Sequence, residues 1–309
     1  MTEKHVVFDT DPGIDDAMAL LYLNACENLK LHAITTILGN ADIEQCTRNA
    51  LILRDLFRID VPVYKGSAIH INGTEPDDYP DFVHGADGLG DVGLPEYSGD
   101  IEREDAVSAL IDLSKKHEGE LVILAVGRLT NLALAVQQDD GFAGRLQEII
   151  IMGGAYQHPG NVTPFAEANI IGDPEAAEIV FRTETPLTMV GLDVTTQTRM
   201  SHEYLEPVVG GLAFGDFLLA INRTYADYHV RTEDRHDFPV HDSSALVYAT
   251  RPDLFETVTG HLSCTAEGEE RGRTVFREDA NGPHKVCINI DSNAMLEDYG
   301  QRIASFYRG

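Results

Sequence analysis

The 309-residue sequence has no tryptophan, few lysines and only four cysteines. No apolar run approaches the ~20 residues that a membrane-spanning helix needs, and the apolar stretch near the N-terminus is too short for a secretory signal peptide. The cysteines form no CxxC pair and lie in apolar segments, which predicts buried, reduced thiols rather than disulfides. They are Cys26, Cys46, Cys264 and Cys287. These absences predict a soluble, cytoplasmic protein.

Positive charge is also scarce, since 23 Lys and Arg stand against 51 Asp and Glu, for a net charge of −28 and an isoelectric point near 4.6. A surface this negative repels nucleic acids and anionic membranes, so the expected ligand is a small molecule. Only 6 of the 23 basic residues are lysines, which favours a halophilic protein whose self-repulsion is screened by concentrated salt. The alternative is an ordinary acidic enzyme in low salt.

We therefore expect the melting temperature to rise steadily with molar KCl, because added ions screen the repulsion among surface carboxylates. Thermal unfolding followed by circular dichroism across a KCl series measures this. A flat profile would rule out the halophilic interpretation.

Short apolar runs alternate with stretches of helical periodicity through the first two thirds of the chain. Buried strands are predicted at residues 5–8, 31–37, 61–64, 121–126, 148–152 and 187–190. Helices are predicted at residues 15–26, 43–57, 106–115, 131–138 and 174–181. Strand–helix–strand spacing of this kind predicts an α/β fold with an open, mostly parallel central β-sheet flanked by helices. We expect a single domain over residues 1–309.

The final third, from about residue 202, is predicted to be more helical and to close with a strand pair near residues 273–276 and 285–290. The stretch at residues 66–100 is rich in Gly, Pro and Asp and has no clear periodicity. An irregular segment of that length in a compact domain is usually functional or mobile.

Polar clusters follow four of the predicted strands, at residues 9–16, 39–40, 127–131 and 153–154. In open parallel sheets, ligands bind at the carboxyl ends of the strands. We therefore expect these four loops to converge on one site.

The first of these loops carries four acids within eight residues: Asp9, Asp11, Asp15 and Asp16. Carboxylates this close repel one another unless a cation or a shared proton neutralises them. An all-oxygen ligand set favours Ca²⁺ or Mg²⁺ over zinc, and clustered carboxylates suit Ca²⁺, which tolerates irregular geometry. Helix capping is the alternative, but it explains one acid rather than four. A metal-bound water next to a carboxylate predicts hydrolysis.

The acidic loop DTDPGIDDA at residues 9–17 resembles the signature of the inosine-uridine preferring nucleoside hydrolase family (the nucleoside N-ribohydrolases). Further matches follow in order: LGN at 38–40, HGADGLG at 84–90, GRLTN at 127–131, IMGG at 151–154, GNVTP at 160–164, EAN at 167–169, DPEAA at 173–177 and HD at 241–242. The resemblance implies one Ca²⁺ per subunit of a homodimer or homotetramer. It also implies hydrolysis of ribonucleosides to free base and ribose, as in purine and pyrimidine salvage.

The resemblance also implies roles for individual residues. Asp11, Asp16 and Asp242 match calcium ligands, as does the backbone carbonyl of Thr130, and Asp11 would be the general base toward a metal-held water. The remaining matches concern the substrate: Asp15 and Asn169 for the 2′- and 3′-hydroxyls, Asn161 and Glu167 for the 5′-hydroxyl, Met152 for the sugar pocket, Asn40 near the base or metal, and His241 as the acid that protonates the leaving base, with His84 nearby.

The chemistry agrees with these residue types, because N-glycosidic cleavage passes through an oxocarbenium-like state that carboxylates stabilise. An imidazole that titrates near neutral pH suits proton donation to the departing base. Residues 222–237 add aromatic and imidazole side chains that are candidates to contact the base, although buried core aromatics would look the same. They are Tyr225, Tyr228, His229 and His236.

Each match also has a structural interpretation. Asn161 suits a turn, Asn169 a local cap, Glu167 a solvated surface, Met152 a core position and His84 an exposed turn.

Two positions depart from the usual family pattern. Ser243-Ser244 follows His241-Asp242 where the family generally has proline, which relaxes the local backbone, and Arg128 stands where proline is common. Two other functions stay open at this point. One is a haloacid dehalogenase-type phosphatase, suggested by Asp9-Thr10-Asp11 after a strand, and the other is a nucleoside- or ribose-binding protein without turnover. The sequence leaves the preferred base open.

Overall fold

The computed structural model describes residues 3–76 and 78–308. Its strands are β1 (Lys4–Thr10), β2 (Leu29–Thr36), β3 (Val63–Lys65), β4 (Leu121–Ala125), β5 (Leu146–Met152), β6 (Leu187–Val190), β7 (Arg199–Ser201), β8 (Asp237–Pro239), β9 (Phe255–Cys264), β10 (Thr274–Glu278) and β11 (His284–Ile290). Its α-helices are α1 (Ile14–Asn24), α2 (Ile43–Leu56), α3 (Asp81–His84), α4 (Ala106–Lys116), α5 (Thr130–Gln138), α6 (Phe142–Arg145), α7 (Ala168–Gly172), α8 (Pro174–Phe181), α9 (Leu192–Thr195), α10 (His202–Val209), α11 (Gly215–Glu233), α12 (Asp242–Thr250) and α13 (Ser292–Arg308).

Within these described ranges, nine strands form one sheet in the order β10-β9-β11-β6-β5-β4-β1-β2-β3. All pairs from β11 to β3 are parallel, whereas β9 is antiparallel to both of its neighbours. The chain adds β2 and β3 on one side of β1, and it then places β4 on the other side of β1. The crevice that binds ligands in such sheets lies at the carboxyl ends of the strands beside this reversal, here β1 and β4. The predicted fold class is confirmed.

The central strands form around short apolar runs in their sequences. All five residues of β4, LVILA, are buried, as expected for a parallel strand that is covered by helices on both faces. Alternate residues of β1 enter separate cores, with Val6 and Phe8 on one side of the sheet and Val7 on the other. The strong apolar signal explains why the predicted bounds of these strands lie within about two residues of those observed.

Several helices begin at an aspartate that caps them. Asp42, Asp105 and Asp173 accept hydrogen bonds from backbone amides in the first turns of α2, α4 and α8, respectively. Each such cap stabilises the protein by about 1 kcal/mol. Helix α8 also has Pro174 at its first position, where the missing N–H costs no hydrogen bond. These capping residues determine where α2, α4 and α8 begin.

Both strands predicted in the final third are present, but the prediction that they pair with each other is wrong. Residues 273–276 and 285–290 overlap β10 and β11, but both strands pair with β9, which lies between them. Strand β9 was not predicted because its sequence, FETVTGHLSC, mixes exposed and buried positions and contains Gly260. The sequence of β9 therefore shows neither a continuous apolar run nor a regular alternation of apolar and polar residues.

The remaining expectations concern the irregular stretch, the cysteines and the membrane. In the described part of residues 66–100, the only helix is the short α3, which ends at His84. All four cysteines are free and buried, as predicted. None of the helices described in residues 3–76 and 78–308 is long and apolar enough to cross a membrane.

Candidate active site

A cavity of about 710 Å³ opens at the carboxyl ends of the parallel strands. The segments that follow β1, β2 and β4 each place a residue on its lining, Asp15, Asn40 and Val126, and the last residue of β5 contributes Met152. Of the four predicted loops, 9–16 and 39–40 reach the lining, through Asp15 and Asn40, whereas loops 127–131 and 153–154 follow the lining residues Val126 and Met152 and do not line the cavity themselves. Helices α3 and α11 build a separate wall, and α12 closes the cavity with its first residue.

Most of the predicted site residues line this cavity: Asp15, Asn40, His84, Met152, Asn161, Glu167, Asn169, Tyr225, Tyr228, His241 and Asp242. The others, Asp11, Asp16 and Thr130, are buried and do not line it. His236 is exposed and lies outside the lining.

Three of the predicted acids form a cluster at the edge of the cavity. Carboxylate oxygens of Asp15, Asp16 and Asp242 lie within 4.8 Å of one another. Burial raises the pKa of Asp15 and of Asp16 to about 6, and repulsion from Asp15 adds to the shift of Asp16. Burial and the surrounding carboxylates raise the pKa of Asp242 well above the usual range of an aspartate. A divalent cation would relieve this repulsion, since full ionisation of the cluster is otherwise unfavourable.

Asp11 lies beside this cluster in a cradle that only glycines permit. Its Oδ2 accepts a hydrogen bond from the Asn40 backbone N–H at 2.9 Å. A Cβ atom at Gly39 would lie 1.9 Å from Oδ2, and one at Gly127 would lie 2.5 Å from Oδ1. Burial, followed by the charge of Asp16, raises the pKa of Asp11 well above its usual range, while Arg128 opposes the shift.

The donor set fits a hard cation. Oδ1 of Asp11 and Oδ1 of Asp15 are buried and have no hydrogen-bond partner among the described residues. The hydroxyl of Thr130 donates to Asp173 Oδ2 at 2.7 Å. Carboxylate and carbonyl oxygens are the ligands that Ca²⁺ and Mg²⁺ prefer.

Helix capping, the alternative explanation for the acidic loop, accounts for part of the role of Asp16. Its Oδ2 accepts hydrogen bonds from the Gly13 N–H at 2.8 Å and from Asn40 Nδ2 at 3.0 Å, and its Oδ1 accepts one from the Thr10 hydroxyl. Asp16 therefore caps α1 and also belongs to the acid cluster. Asp9 is outside the cluster, because its Oδ2 binds Thr35 and Asn131 at 2.6 and 2.9 Å.

Amide side chains and one carboxylate, from Asn161, Asn169 and Glu167, line another part of the cavity. Both amide hydrogens of Asn169 go to main-chain carbonyls, of Val126 at 2.7 Å and of Met152 at 3.2 Å. The side-chain oxygen of Asn169 is thus the atom available to a ligand. Asn161 Oδ1 accepts a hydrogen bond from the Ala168 N–H at 3.0 Å, as a residue of structural turns would.

Glu167 is not a solvated surface residue. Its side chain is 2% exposed and caps α7, accepting hydrogen bonds from the backbone N–H groups of Gly154 at 2.8 Å and Asn169 at 2.9 Å. Burial raises its pKa, although these amides oppose the shift. Glu167 therefore holds the backbone of Asn169 in place and so helps to orient that residue.

Aromatic rings and imidazoles form the wall contributed by α3 and α11. His84 is buried rather than exposed in a turn, its Nδ1 accepts from the Ile14 N–H at 3.3 Å, and its ring stacks on Tyr225 at 5.7 Å. Tyr225 belongs to the core and also lines the cavity. Tyr228 is half-buried and lies 6.0 Å from the exposed ring of Phe82. An apolar wall with aromatic faces is suited to a planar ligand.

The position of His241 is well defined despite the missing proline. Its Nδ1 lies 2.9 Å from the Thr195 hydroxyl, and α12 begins at the next residue. One turn of α12 is tied to the preceding segment by the Ser244 hydroxyl, which donates to the Val240 carbonyl. Burial lowers the pKa of His241 to about 3, with further contributions from neighbouring His229 and Arg199. The expectation that this imidazole titrates near neutral pH is therefore wrong, because the ring is desolvated and surrounded by basic groups.

A chain of ion pairs connects His229, Glu233, Arg199 and Asp237, and of these residues the sequence analysis named only His229. His229 Nδ1 lies 2.7 Å from Glu233 Oε1, and Arg199 contacts Glu233 at 2.9 Å and Asp237 at 2.7 Å. The Nε2 atom of His229 is buried without a partner among the described residues, and the residue lines the cavity. The i, i+4 spacing of His229 and Glu233 on a helix was the available signal for this pair. Arg199 comes from β7, and nothing local in the sequence indicates its position.

Comparison with known proteins adds an independent finding. A family model described as inosine-uridine preferring nucleoside hydrolase matches residues 6–297. Uridine nucleosidase 1 of Arabidopsis thaliana is 40% identical over 311 residues, spanning 95% of this chain and 92% of that protein. A solved plant nucleoside hydrolase has 37% identity and a TM-score of 0.93, covering 97% of this chain and 98% of its own. A purine-preferring ribonucleoside hydrolase from Gardnerella vaginalis has 32% identity and a TM-score of 0.94, with 99% of each chain covered.

Proposed function

The chain belongs to the inosine-uridine preferring nucleoside hydrolase family, and we propose that it hydrolyses the N-glycosidic bond of ribonucleosides with one Ca²⁺ held by its acid cluster. The observation that carries the proposal is the position of that cluster at the edge of a cavity with an amide-rich side and an aromatic wall. Such a cavity offers hydrogen-bonding groups to a ribose and flat faces to a base.

We assign the metal to Asp11, Asp16, Asp242 and the carbonyl of Thr130, by the family resemblance. The unpartnered, buried Oδ1 of Asp11 and the proximity of Asp16 to Asp242 support this assignment. When bound, Ca²⁺ neutralises the cluster and acidifies a water molecule. Asp15, which faces the cavity, and the Asn169 oxygen would hold the 2′- and 3′-hydroxyls, while Asn161 and Glu167 would serve the 5′-hydroxyl.

In the proposed reaction, the carboxylate of Asp11 accepts the proton of the attacking water. The buried carboxylates of Asp11 and Asp15 stabilise the positive charge that develops on the ribose. Arg128 raises no difficulty for this role, because its guanidinium lowers the pKa of Asp11 and so favours the basic form.

The leaving base would be assisted by a neutral imidazole. The Thr195 hydroxyl, at 2.9 Å from Nδ1 of His241, can donate to that nitrogen and thereby keep the hydrogen on Nε2. An Nε2–H group directed at the base stabilises the negative charge that builds up on it as the bond breaks. In this proposal, His241 acts as a hydrogen-bond donor without first having to be an imidazolium.

We expect His241→Ala to lower kcat by about 10²–10⁴-fold for nucleosides with poor leaving bases, because the departing base loses its donor. An activated aryl riboside, which leaves without assistance, should be affected much less. Steady-state kinetics on both substrate types measures the difference, with His236→Ala as the control, since His236 lies outside the cavity. An equal loss on both substrates would exclude His241 as the leaving-group donor.

The experiment that tests the proposed function is a panel of purine and pyrimidine ribonucleosides, assayed for free ribose in high and low salt. Release of ribose and base in equal amounts is the expected result. The phosphatase alternative needs a lysine placed against phosphate, and no lysine lines the cavity in the part of the chain described. Phosphate release without free base would nevertheless favour it, and tight nucleoside binding without ribose release would indicate a binding protein.

A further inference from the structure

Three histidines meet at the edge of the sheet that is opposite to the cavity. His5 lies near the start of β1, His32 lies on the adjacent β2, and His117 follows the last residue of α4 in the turn that leads to β4. The cavity lies beyond the other end of β1, and the six residue steps from His5 to Asp11 span roughly 20 Å in extended conformation. These histidines are therefore outside the site described above.

An irregularity in the pairing of β1 with β2 brings His32 to this position. Val6 pairs with Leu31 and Val7 pairs with Ala33, so His32 is an extra residue that has no partner across the ladder. Such bulges typically redirect a side chain. Here, the bulge places His32 beside His5, and the α4–β4 turn places His117 against both.

The ring nitrogens of the three histidines are within reach of a single ion. One nitrogen from each ring can be chosen so that all three lie within 4.8 Å of one another. His5 Nδ1 and His32 Nε2 are 2.7 Å apart, and the His117 ring centroid lies 4.5 Å from that of His5 and 4.2 Å from that of His32. The Nε2 atom of His117 is buried and has no hydrogen-bond partner among the described residues.

Burial and the neighbouring positive charges keep the His32 ring in the neutral form that binds metals. Partial burial and the other two rings lower the pKa of His32 to about 4, and Lys30 and Lys116 contribute in the same direction. Glu120 is the acid on this side, with Oε2 3.9 Å from His5 Nε2. Neutral imidazoles are the ligands that zinc and related ions need, and a carboxylate nearby can complete or support the ligand set.

We propose that His5, His32 and His117 form a second metal site, which takes a divalent transition-metal ion such as Zn²⁺. Nitrogen ligands select Zn²⁺, Co²⁺ or Ni²⁺ over Ca²⁺, so this site and the acid cluster bind different classes of ion. Zn–N bonds of about 2.0–2.1 Å in tetrahedral geometry separate ligand atoms by roughly 3.4 Å, so the His5–His32 pair opens by less than about 1 Å on binding. The ion would tie β1, β2 and the α4–β4 turn together.

Co²⁺ and Zn²⁺ are the probes for the test, added to untagged full-length protein in the presence of excess Ca²⁺, which occupies the acid cluster. Calorimetry should detect about one Zn²⁺ per chain, and Co²⁺ should develop the visible absorption of histidine ligation in tetrahedral geometry. Zn²⁺ should also raise the melting temperature, because it binds the folded state. Binding should weaken toward acidic pH as protons compete for the three imidazoles.

His32→Asn and His117→Asn should each weaken Zn²⁺ binding by about 10-fold or more and remove the cobalt absorption. His117 lies in a half-exposed turn, so its replacement leaves the sheet intact. The matched control is His261→Asn, which removes a half-exposed histidine of β9 that contacts Asp279; it should bind Zn²⁺ as the wild type does. The proposal is overturned if the wild type binds neither ion once Ca²⁺ is present, or if the His32 and His117 variants bind both ions unchanged. Ribonucleoside turnover is not the readout, so failure here leaves the proposed hydrolase function untouched.

Discussion

Asp11→Asn is expected to lower kcat on ribonucleosides by about 10²–10⁴-fold, the range attributed to a positioned general base, while the protein stays folded. The asparagine Oδ1 can still accept the hydrogen bond that the Asn40 N–H gives to Asp11 Oδ2. The substitution therefore preserves the packing against Gly39 and Gly127 and removes the charge and the basicity, together with one anionic ligand of the proposed metal site, so the kinetics are measured at saturating Ca²⁺. Steady-state kinetics, together with a thermal melt of the same preparation, separates the loss of chemistry from loss of fold.

The thermal melt gives this prediction a second, independent readout. The pKa of Asp11 is raised by burial and by Asp16, which means that its charge destabilises the folded state when no cation is present. In the presence of a chelator, Asp11→Asn should therefore melt at a higher temperature than the wild type. Asp298→Asn is the control, because Asp298 binds Tyr22 and Arg302 far from the cavity and its loss should lower stability without changing kcat. Undiminished turnover by the Asp11 variant would contradict the proposed base.

Removal of Ca²⁺ with excess chelator is expected to abolish turnover, and added Ca²⁺ should restore it. The same treatment should lower the melting temperature, because the half-buried Asp15 and the buried Asp16 and Asp242 are then left as a close group of like charges. Mg²⁺ at the same concentration should restore less activity, since it demands a more regular octahedral geometry. Full activity in the chelated protein would exclude a metal-dependent mechanism.

The loss of stability on chelation should depend on pH in a defined direction. The pKa values of Asp15 and Asp16 are about 6 in the folded protein, against 3.8 for the unperturbed group. The folded state thus holds protons that the unfolded state releases, and stability falls as pH rises from about 4 to above 6. The melting temperatures with Ca²⁺ and with chelator should nearly coincide near pH 4 and diverge above pH 6. Equal separation at all pH values would show that these carboxylates are not the source of the effect.

The sequence predicted the fold best where one local signal dominates. The buried strands β4, β5 and β6 contain strong apolar runs, and helices such as α8 begin at a recognisable cap and proline. Strand β9 carries no such signal, because its burial is decided by its partners on both sides rather than by its own composition. The error in pairing β10 directly with β11 follows from missing that one strand.

The residues of the candidate site were likewise predicted where a local motif marks them and missed where only tertiary contacts do. Ordered motifs gave the residues that lie on consecutive loops, and the structure places most of them around one cavity. Contacts between distant segments could not be obtained from the sequence, for example Arg199 with Glu233 and Asp237. The same limit applies to pKa values. His241 was expected to titrate near neutrality from its residue type, whereas its burial and its basic neighbours are tertiary properties.

The floor of the cavity and one of its walls come from different parts of the fold, and this separation has a consequence for engineering. The acids lie in the loop after β1 and at the starts of α1 and α12, whereas Phe82, Tyr228 and Thr232 belong to α3 and α11. A directed-evolution library that randomises these helical positions can explore new nucleobase analogues without disturbing the ion-binding carboxylates. Positions 39 and 127 should be excluded from any such library, since even the smallest side chain there would displace Asp11.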